Sequence, residues 1–227
     1  MASYASYTRN TAEPIKAIAH SRRFQQAANI IGALPSDTVL DYGCADAHLF
    51  SVLGPVRERA GYEPDPKMAA QVDAQLNDVR IYTDRDELLN SGRRFSLIVC
   101  MEVCEHLTSK SLAELLHTIN SLCLPGARIV FGVPIETGLS GLTKGLYRLA
   151  KRQEGASLSD SFKSLLNLPI DRPVTDIEWH GSHTGFDDKK FAAELAKHFT
   201  IKSTSCLPLP IGRVFNNEIY YVCTAGS

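Results

Sequence analysis

Apolar and polar positions come in short alternating blocks along most of the chain, compact apolar runs trading places with stretches in which leucines and isoleucines recur every three or four residues. The runs bounded by turn residues predict strands near 38–42, 57–63, 79–82, 94–101 and 127–133. Between them, helical spacing predicts helices near 46–54, 66–76, 84–90 and 107–122. In the last of these Leu112, Leu115, Leu116, Ile119 and Leu122 form one stripe suited to packing on a sheet. Strand and helix alternate throughout, so the sheet should be largely parallel. Upstream, residues 1–13 are small and polar and predict a loose arm; Pro14 opens a helical stretch to about Leu34, which Pro35-Ser36-Asp37 ends. Downstream, Asp187 to Phe199 predicts a final helix. Two further strands near 200–206 and 213–224 are joined by Leu207-Pro208-Leu209-Pro210-Ile211-Gly212, a hairpin connection.

Composition narrows the class. A chain of 227 residues, 44% of them hydrophobic, can bury the core of one α/β domain, and it contains neither an internal repeat nor a low-complexity tract. The net charge of −1 lacks the basic excess of a general nucleic-acid binder. Cys44, Cys100, Cys104, Cys123, Cys206 and Cys223 show no paired C-x-x-C spacing, which predicts buried, reduced thiols. No basic-then-apolar signal opens the chain and no run approaches the ~18 apolar residues of a membrane span, so a cytoplasmic location is expected.

The chemistry concentrates where the first strand ends. Val39-Leu40-Asp41-Tyr42-Gly43-Cys44-Ala45-Asp46-Ala47 is an apolar run that finishes in an acid and turns through small residues, of which Gly43 lets the backbone approach a ligand closely. Asp41 would stand at the carboxyl end of its strand, where open α/β sheets bind ligands. Glu63, in Gly61-Tyr62-Glu63-Pro64-Asp65, follows 22 residues later, the spacing at which a carboxylate accepts both ribose hydroxyls of a nucleoside. The ligand is not a dinucleotide on this reading, because Asp41 and Asp46 would repel a diphosphate and attract a cationic amino-acid end instead. A nicotinamide oxidoreductase is disfavoured for the same reason.

These residues resemble the class I S-adenosylmethionine-dependent methyltransferases. Asp41 to Ala47 looks like that family's Asp-x-Gly-x-Gly-x-Gly turn, with alanine replacing glycine at 45 and 47, and Glu63 matches its ribose-holding acid. Phe95 to Leu107, with Met101-Glu102-Val103-Cys104-Glu105-His106-Leu107, is similar to the fourth strand and helix start of the ubiquinone-pathway and sugar methyltransferases. Pro125 to Pro134 is similar to their turn and fifth strand. The resemblance covers residues 36–135 well and the rest in outline. It implies a Rossmann-like, doubly wound α/β fold: a mostly parallel seven-stranded sheet with an antiparallel last strand, helices on both faces and a helical lid insertion. It also implies S-adenosylmethionine as cofactor, with Asp41, Gly43 and Ala45 framing its methionine end, Glu63 on the ribose, Asp84 near the adenine amino group, and Met101 and Glu102 along the adenosyl or methionine part. The organisation expected is one domain over 1–227: an arm and helix over 1–35, the cofactor-binding core over 36–135, a lid over 135–180, and the last helix and hairpin over 181–227.

Within the lid, Leu142, Leu146 and Leu149 share one helical face, and Lys144, Arg148, Lys151 and Arg152 the other. Such a helix over 142–152 either packs its leucines on the domain or touches an anionic membrane peripherally. A second constellation joins Glu102, Glu105 and His106 to His180 and His183, in Trp179-His180-Gly181-Ser182-His183; both segments should open on the same sheet edge. His106, His180 and His183 are candidate general bases for removing a hydroxyl proton. The alternative, a divalent metal, rests on the resemblance of Glu-x-x-Glu-His plus a distal histidine to the small-RNA 3′-terminal 2′-O-methyltransferases. The bland reading gives Glu105 and His106 to the helix N-terminus and the loop histidines to backbone hydrogen bonds. His20, His48, His117 and His198 fall in predicted helices and are expected to be surface or satisfied positions. The expected reaction is direct methyl transfer to a hydroxyl of a small molecule, a sugar, quinone-like compound or other metabolite. The alternatives are a metal-dependent RNA-end enzyme and a non-catalytic partner-binding protein whose altered turn no longer holds cofactor.

Overall fold

The computed structural model describes residues 24–72, 76, 78–153, 155–175, 179–209 and 212–226. The arm expected over 1–13, the first ten residues of the helix from Pro14, and His20 lie outside the described residues. The strands are β1 (Thr38–Tyr42), β2 (Glu58–Tyr62), β3 (Val79–Tyr82), β4 (Phe95–Met101), β5 (Cys123–Pro134), β6 (Phe199–Leu207) and β7 (Glu218–Ala225). They form one sheet in the order β3-β2-β1-β4-β5-β7-β6. All neighbours from β3 to β5 are parallel, and β7 runs antiparallel between β5 and β6, as the resemblance implied.

The helices are α1 (24–31), α2 (Leu49–Val52), α3 (Pro66–Ala69), α4 (Arg85–Asn90), α5 (Ser109–Leu122), α6 (Gly138–Ala150), α7 (Leu158–Leu165) and α8 (Asp188–His198). Alternation along the central strands feeds a core on each face of the sheet. In β4, Ile98 and Cys100 meet Leu115, Leu116, Ile119 and Leu122 of α5 on one side, while Leu97 and Val99 join Ala27, Ile31 and Phe50 on the other. The predicted leucine stripe of α5 is therefore core, and Thr108 caps that helix by accepting from the Ser111 amide at 3.3 Å.

Four sequence boundaries differ from the structure, among them the strand expected near 127–133, which begins at Cys123. The helix expected over 46–54 spans only Leu49–Val52, because Ala45 and Ala47 adopt left-handed backbone, with φ of 49° and 57°. The helix expected over 66–76 stops at Ala69. The expected strand at 213–224 begins at Glu218, since buried Asn216 folds the preceding residues into a loop: its side chain accepts from the Leu209 amide at 2.6 Å and donates to the Leu209 carbonyl at 2.8 Å. Among the described residues no helix is long and apolar enough to cross a membrane.

Candidate active site

The carboxyl ends of β1, β2, β4 and β5 meet along one edge of the sheet, and most of the polar residues singled out in the sequence lie there. The first turn is pinned from below: the Gly43 and Cys44 amides both donate to the Tyr62 carbonyl, at 2.8 and 3.0 Å. Gly43 has φ of 86°, and a Cβ there would collide with Val103 Cγ2, so both conformation and space require glycine. Glu63, nearly buried, ties the turn to the next strand by accepting from the Ala45 amide at 2.9 Å and the Asp65 amide at 3.0 Å. Burial raises its pKa against the pull of those two hydrogen bonds.

Above this turn lies an open, solvent-connected cleft. One wall is the turn itself, with Asp41, Ala45 and Asp46; the other is Met101 and Glu102 at the end of β4, and Phe24, Leu49 and Tyr220 add apolar surface. Asp41 is buried between two other acids: desolvation first, then the charges of Glu63 and Asp46, push its carboxyl up to about 7. Such an acid lowers its energy by acquiring a cation. Glu102 stands at φ of 56°, a backbone conformation costly for a non-glycine residue and concentrated at functional sites. Asp84 caps α4 by accepting from the Glu87 amide at 2.8 Å, and this bond fixes its position after β3. His48, expected to be a surface or satisfied position, lines the cleft and meets Phe24 edge-on at 4.9 Å.

The second cluster is assembled from chain segments 77 residues apart. His106 and His183 bring their Nε2 atoms to 3.0 Å. Glu105, with no exposed surface, places Oε1 3.9 Å from His106 Nε2 and 3.7 Å from His183 Nε2. Glu105, His106 and His183 each offer a ligand atom within 4.8 Å of the others, a grouping that could hold a metal ion. The His106 ring is fixed by stacking on Trp179, with centroids 4.5 Å apart and planes 4° off parallel, and its Nδ1 lies 2.7 Å from the His180 carbonyl. A carbonyl only accepts, so Nδ1 carries the proton and Nε2 presents a lone pair to the cluster. Burial lowers the pKa of His106 and takes His183 down to about 4, although Glu102 draws both upward; both rings are neutral at pH 7.

His180 joins this cluster through its backbone alone. Its amide donates to the His106 carbonyl at 2.7 Å, while its ring sits 3.0 Å from the Pro173 carbonyl. Of the three histidines, the structure thus brings two rings together and turns the third away.

The lid corrects one sequence expectation. Lys144 and Arg148 do not form an outward basic face: they bind the buried Glu136 at the end of β5, at 3.0 and 2.8 Å, and Arg148 also donates to Thr184, beside His183, at 3.0 Å. These cations hold the Glu136 carboxyl below the usual range despite the opposing effect of burial. Leu146, which one of the two readings packs inward with Leu142 and Leu149, is exposed. Glu136 and Arg172, whose guanidinium donates to the Glu105 and Ser182 carbonyls, were not foreseen. An acid following a predicted strand was the available signal for Glu136; Arg172 offered none.

A sheet of this order with an acid-tipped first turn and a second acid after β2 defines a nucleoside-binding α/β protein. The chain belongs to the methyltransferase-domain family, whose sequence profile matches residues 14–173, and its fold is that of the class I S-adenosylmethionine-dependent enzymes. Comparison with curated protein sequences finds no match. Among solved structures, it is similar to the N-methyltransferase NodS of Bradyrhizobium japonicum WM9 in complex with S-adenosyl-L-homocysteine (TM-score 0.57, 12% identity, 99% of this chain and 98% of that one). It is also similar to an S-adenosylmethionine-dependent methyltransferase of Clostridium acetobutylicum ATCC 824 (0.60, 13%, 99% and 96%). A third such structure is the methyltransferase domain of bacterial CtHen1-C (0.58, 13%, 91% and 98%). At these identities the likeness concerns the fold.

Proposed function

We propose that the protein transfers the methyl group of S-adenosylmethionine to a hydroxyl oxygen of a small acceptor, with His106 receiving the hydroxyl proton. The observation that carries this reading is the facing pair of neutral imidazoles beside buried Glu105, on the same sheet edge as the acid-lined cleft. The cleft fits the cofactor chemically. Asp41 and Asp46 suit a ligand with a cationic amino-acid end and no phosphate, and a carboxylate has about four acceptor positions, so Glu63 retains capacity for ribose hydroxyls beyond its two amide bonds. The bound cofactor supplies a methyl group already activated on a sulfonium, and no covalent enzyme intermediate is required.

The protein's own part is positioning and proton removal. His106 is oriented by Trp179 and the His180 carbonyl, accepts the proton at Nε2, and gains a positive charge next to the Glu105 carboxylate, which stabilises it. A hollow lined by Arg148, Asp160, Asp171, Arg172 and His180 lies under the lid, and its polar walls suit a hydroxylated acceptor. Replacing His106 or His183 by Ala should lower turnover at least about 100-fold with cofactor affinity unchanged. Normal turnover in both variants refutes the role. His180→Ala should cost less, since its backbone does the holding.

The compactness of Glu105, His106 and His183 favours a second reading, in which they hold a divalent cation. The donor set fits: one buried carboxylate, and an imidazole whose other nitrogen donates to a backbone carbonyl, the usual support of a metal-bound histidine. A bound cation would acidify and orient the acceptor hydroxyl, the situation expected if the acceptor is an RNA-end 2′-hydroxyl. Turnover abolished by chelator and restored by a divalent metal selects this reading; turnover indifferent to chelator removes it.

A further inference from the structure

The lid hairpin carries its polarity inside out. α6 and α7 meet through small residues: a Cβ on Gly145 would collide with Ser161 Oγ, and one on Gly141 would come within 2.8 Å of Ser164 Cβ. The buried residues of α6 are Ser140 and Gly141, and those of α7 are Ser161 and Ser164. Six large apolar side chains point away: Leu158, Phe162 and Leu166 are exposed by 54%, 52% and 64%, and Leu139, Leu146 and Tyr147 of α6 are exposed too, while Leu142, Leu149 and Leu165 are half-buried. A helix on a globular protein normally turns its apolar stripe to the core. Helices that pack closely through small residues with apolar side chains outward are matched to apolar surroundings. The surface continues onto the loop before β7, where Val214 and Phe215 are exposed, and that loop is fastened to the hairpin by the Ser140 hydroxyl on the Asn216 carbonyl and by Arg213 on Thr137 at 3.0 Å.

We propose that the α6–α7 hairpin lays this face on an anionic membrane surface. Charge selects that occupant over a second copy. Lys151 and Arg152 are exposed directly after α6, and Lys163 of α7 pairs with Asp160 at 3.5 Å; the connecting sequence adds one acid, Glu154, in a chain of net charge −1. Apolar side chains bordered by cations are the pattern of an interfacial helix. With 13 residues α6 is about 20 Å long, short of the ~30 Å hydrocarbon core, so the hairpin lies in the interface and does not span it. The proposal is independent of the acceptor chemistry assigned above.

The test is co-sedimentation of the full chain with vesicles of phosphatidylcholine alone and of phosphatidylcholine mixed with phosphatidylglycerol, with light scattering of the protein alone. The wild type should pellet with the mixed vesicles and be at least about tenfold weaker on the neutral ones. Phe162→Ser with Leu166→Ser should lose at least about tenfold in binding, and Lys151→Glu with Arg152→Glu should lose about fivefold per charge on the anionic vesicles only. Both double variants should keep the wild-type circular dichroism and S-adenosylmethionine affinity, which separates lost docking from lost folding. Absence of vesicle binding by folded wild type, or binding that persists in the Phe162 and Leu166 variant, overturns the proposal; a wild-type dimer that this variant dissociates, without vesicle binding, gives the face to a second copy.

Discussion

At the scale of single residues, the first turn keeps the shape of a glycine turn while using alanine. Ala45 and Ala47 sit at positive φ, a conformation costing an L-residue about 1–2 kcal/mol relative to the right-handed one. Ala45→Gly should therefore raise the free energy of urea unfolding by up to about 1 kcal/mol, part of the relief being offset by the greater entropy of an unfolded glycine; a loss of stability contradicts the turn as described. Asp41 gives a pH signature. Its folded pKa, pushed up to about 7, lies above its unfolded value, so its contribution to stability is present below about pH 4 and is lost as pH rises through 7. Asp41→Asn should consequently stabilise the ligand-free protein at pH 8 relative to wild type and leave stability at pH 4 nearly unchanged, as unfolding curves at the two pH values will show. The same substitution should weaken binding of a cationic cofactor. Equal effects on stability at both pH values contradict the burial of an ionising Asp41.

At the scale of elements, Glu136 decides how the lid sits. Its carboxylate holds Lys144 and Arg148 of α6, and Arg148 passes the restraint to Thr184 beside His183. Removing one partner of a buried pair leaves uncompensated charge, so Glu136→Ala should cost about 3 kcal/mol in urea unfolding, and an effect below about 0.5 kcal/mol would show the clamp to be idle. Because the folded pKa of Glu136 is depressed, its contribution is present above its ordinary value of 4.5 and lost as pH falls through the folded value. Elements with one dominant local signal were legible in the sequence: β1 and β3 match the apolar runs at 38–42 and 79–82, and the α5 stripe packs where its periodicity pointed. What escaped were features set by backbone conformation and by specific polar partners. The α2 start depends on two left-handed alanines, the β7 start on a buried asparagine satisfying a loop, and the basic face of α6 on Glu136 in the loop that enters that helix.

At the scale of the whole molecule, the sheet gathers on one edge what the sequence spreads from Asp41 to His183. Asp41, Glu63, Met101 and Glu102 were legible because each lies at a strand end, and strand ends in a parallel sheet share an edge. The histidine cluster was legible as a set of groups and not as a geometry. Nothing local distinguishes His183, whose ring faces His106, from His180, whose ring turns to Pro173. The most direct test is a calorimetric titration of S-adenosylmethionine into the wild type and into Glu63→Ala. Binding by the wild type and a loss of about ten- to hundredfold in the variant, the worth of about 1.5–3 kcal/mol in charge-assisted hydrogen bonding, is the predicted result. A folded wild type that takes up no cofactor, or a variant that binds it as well as the wild type, would contradict the account.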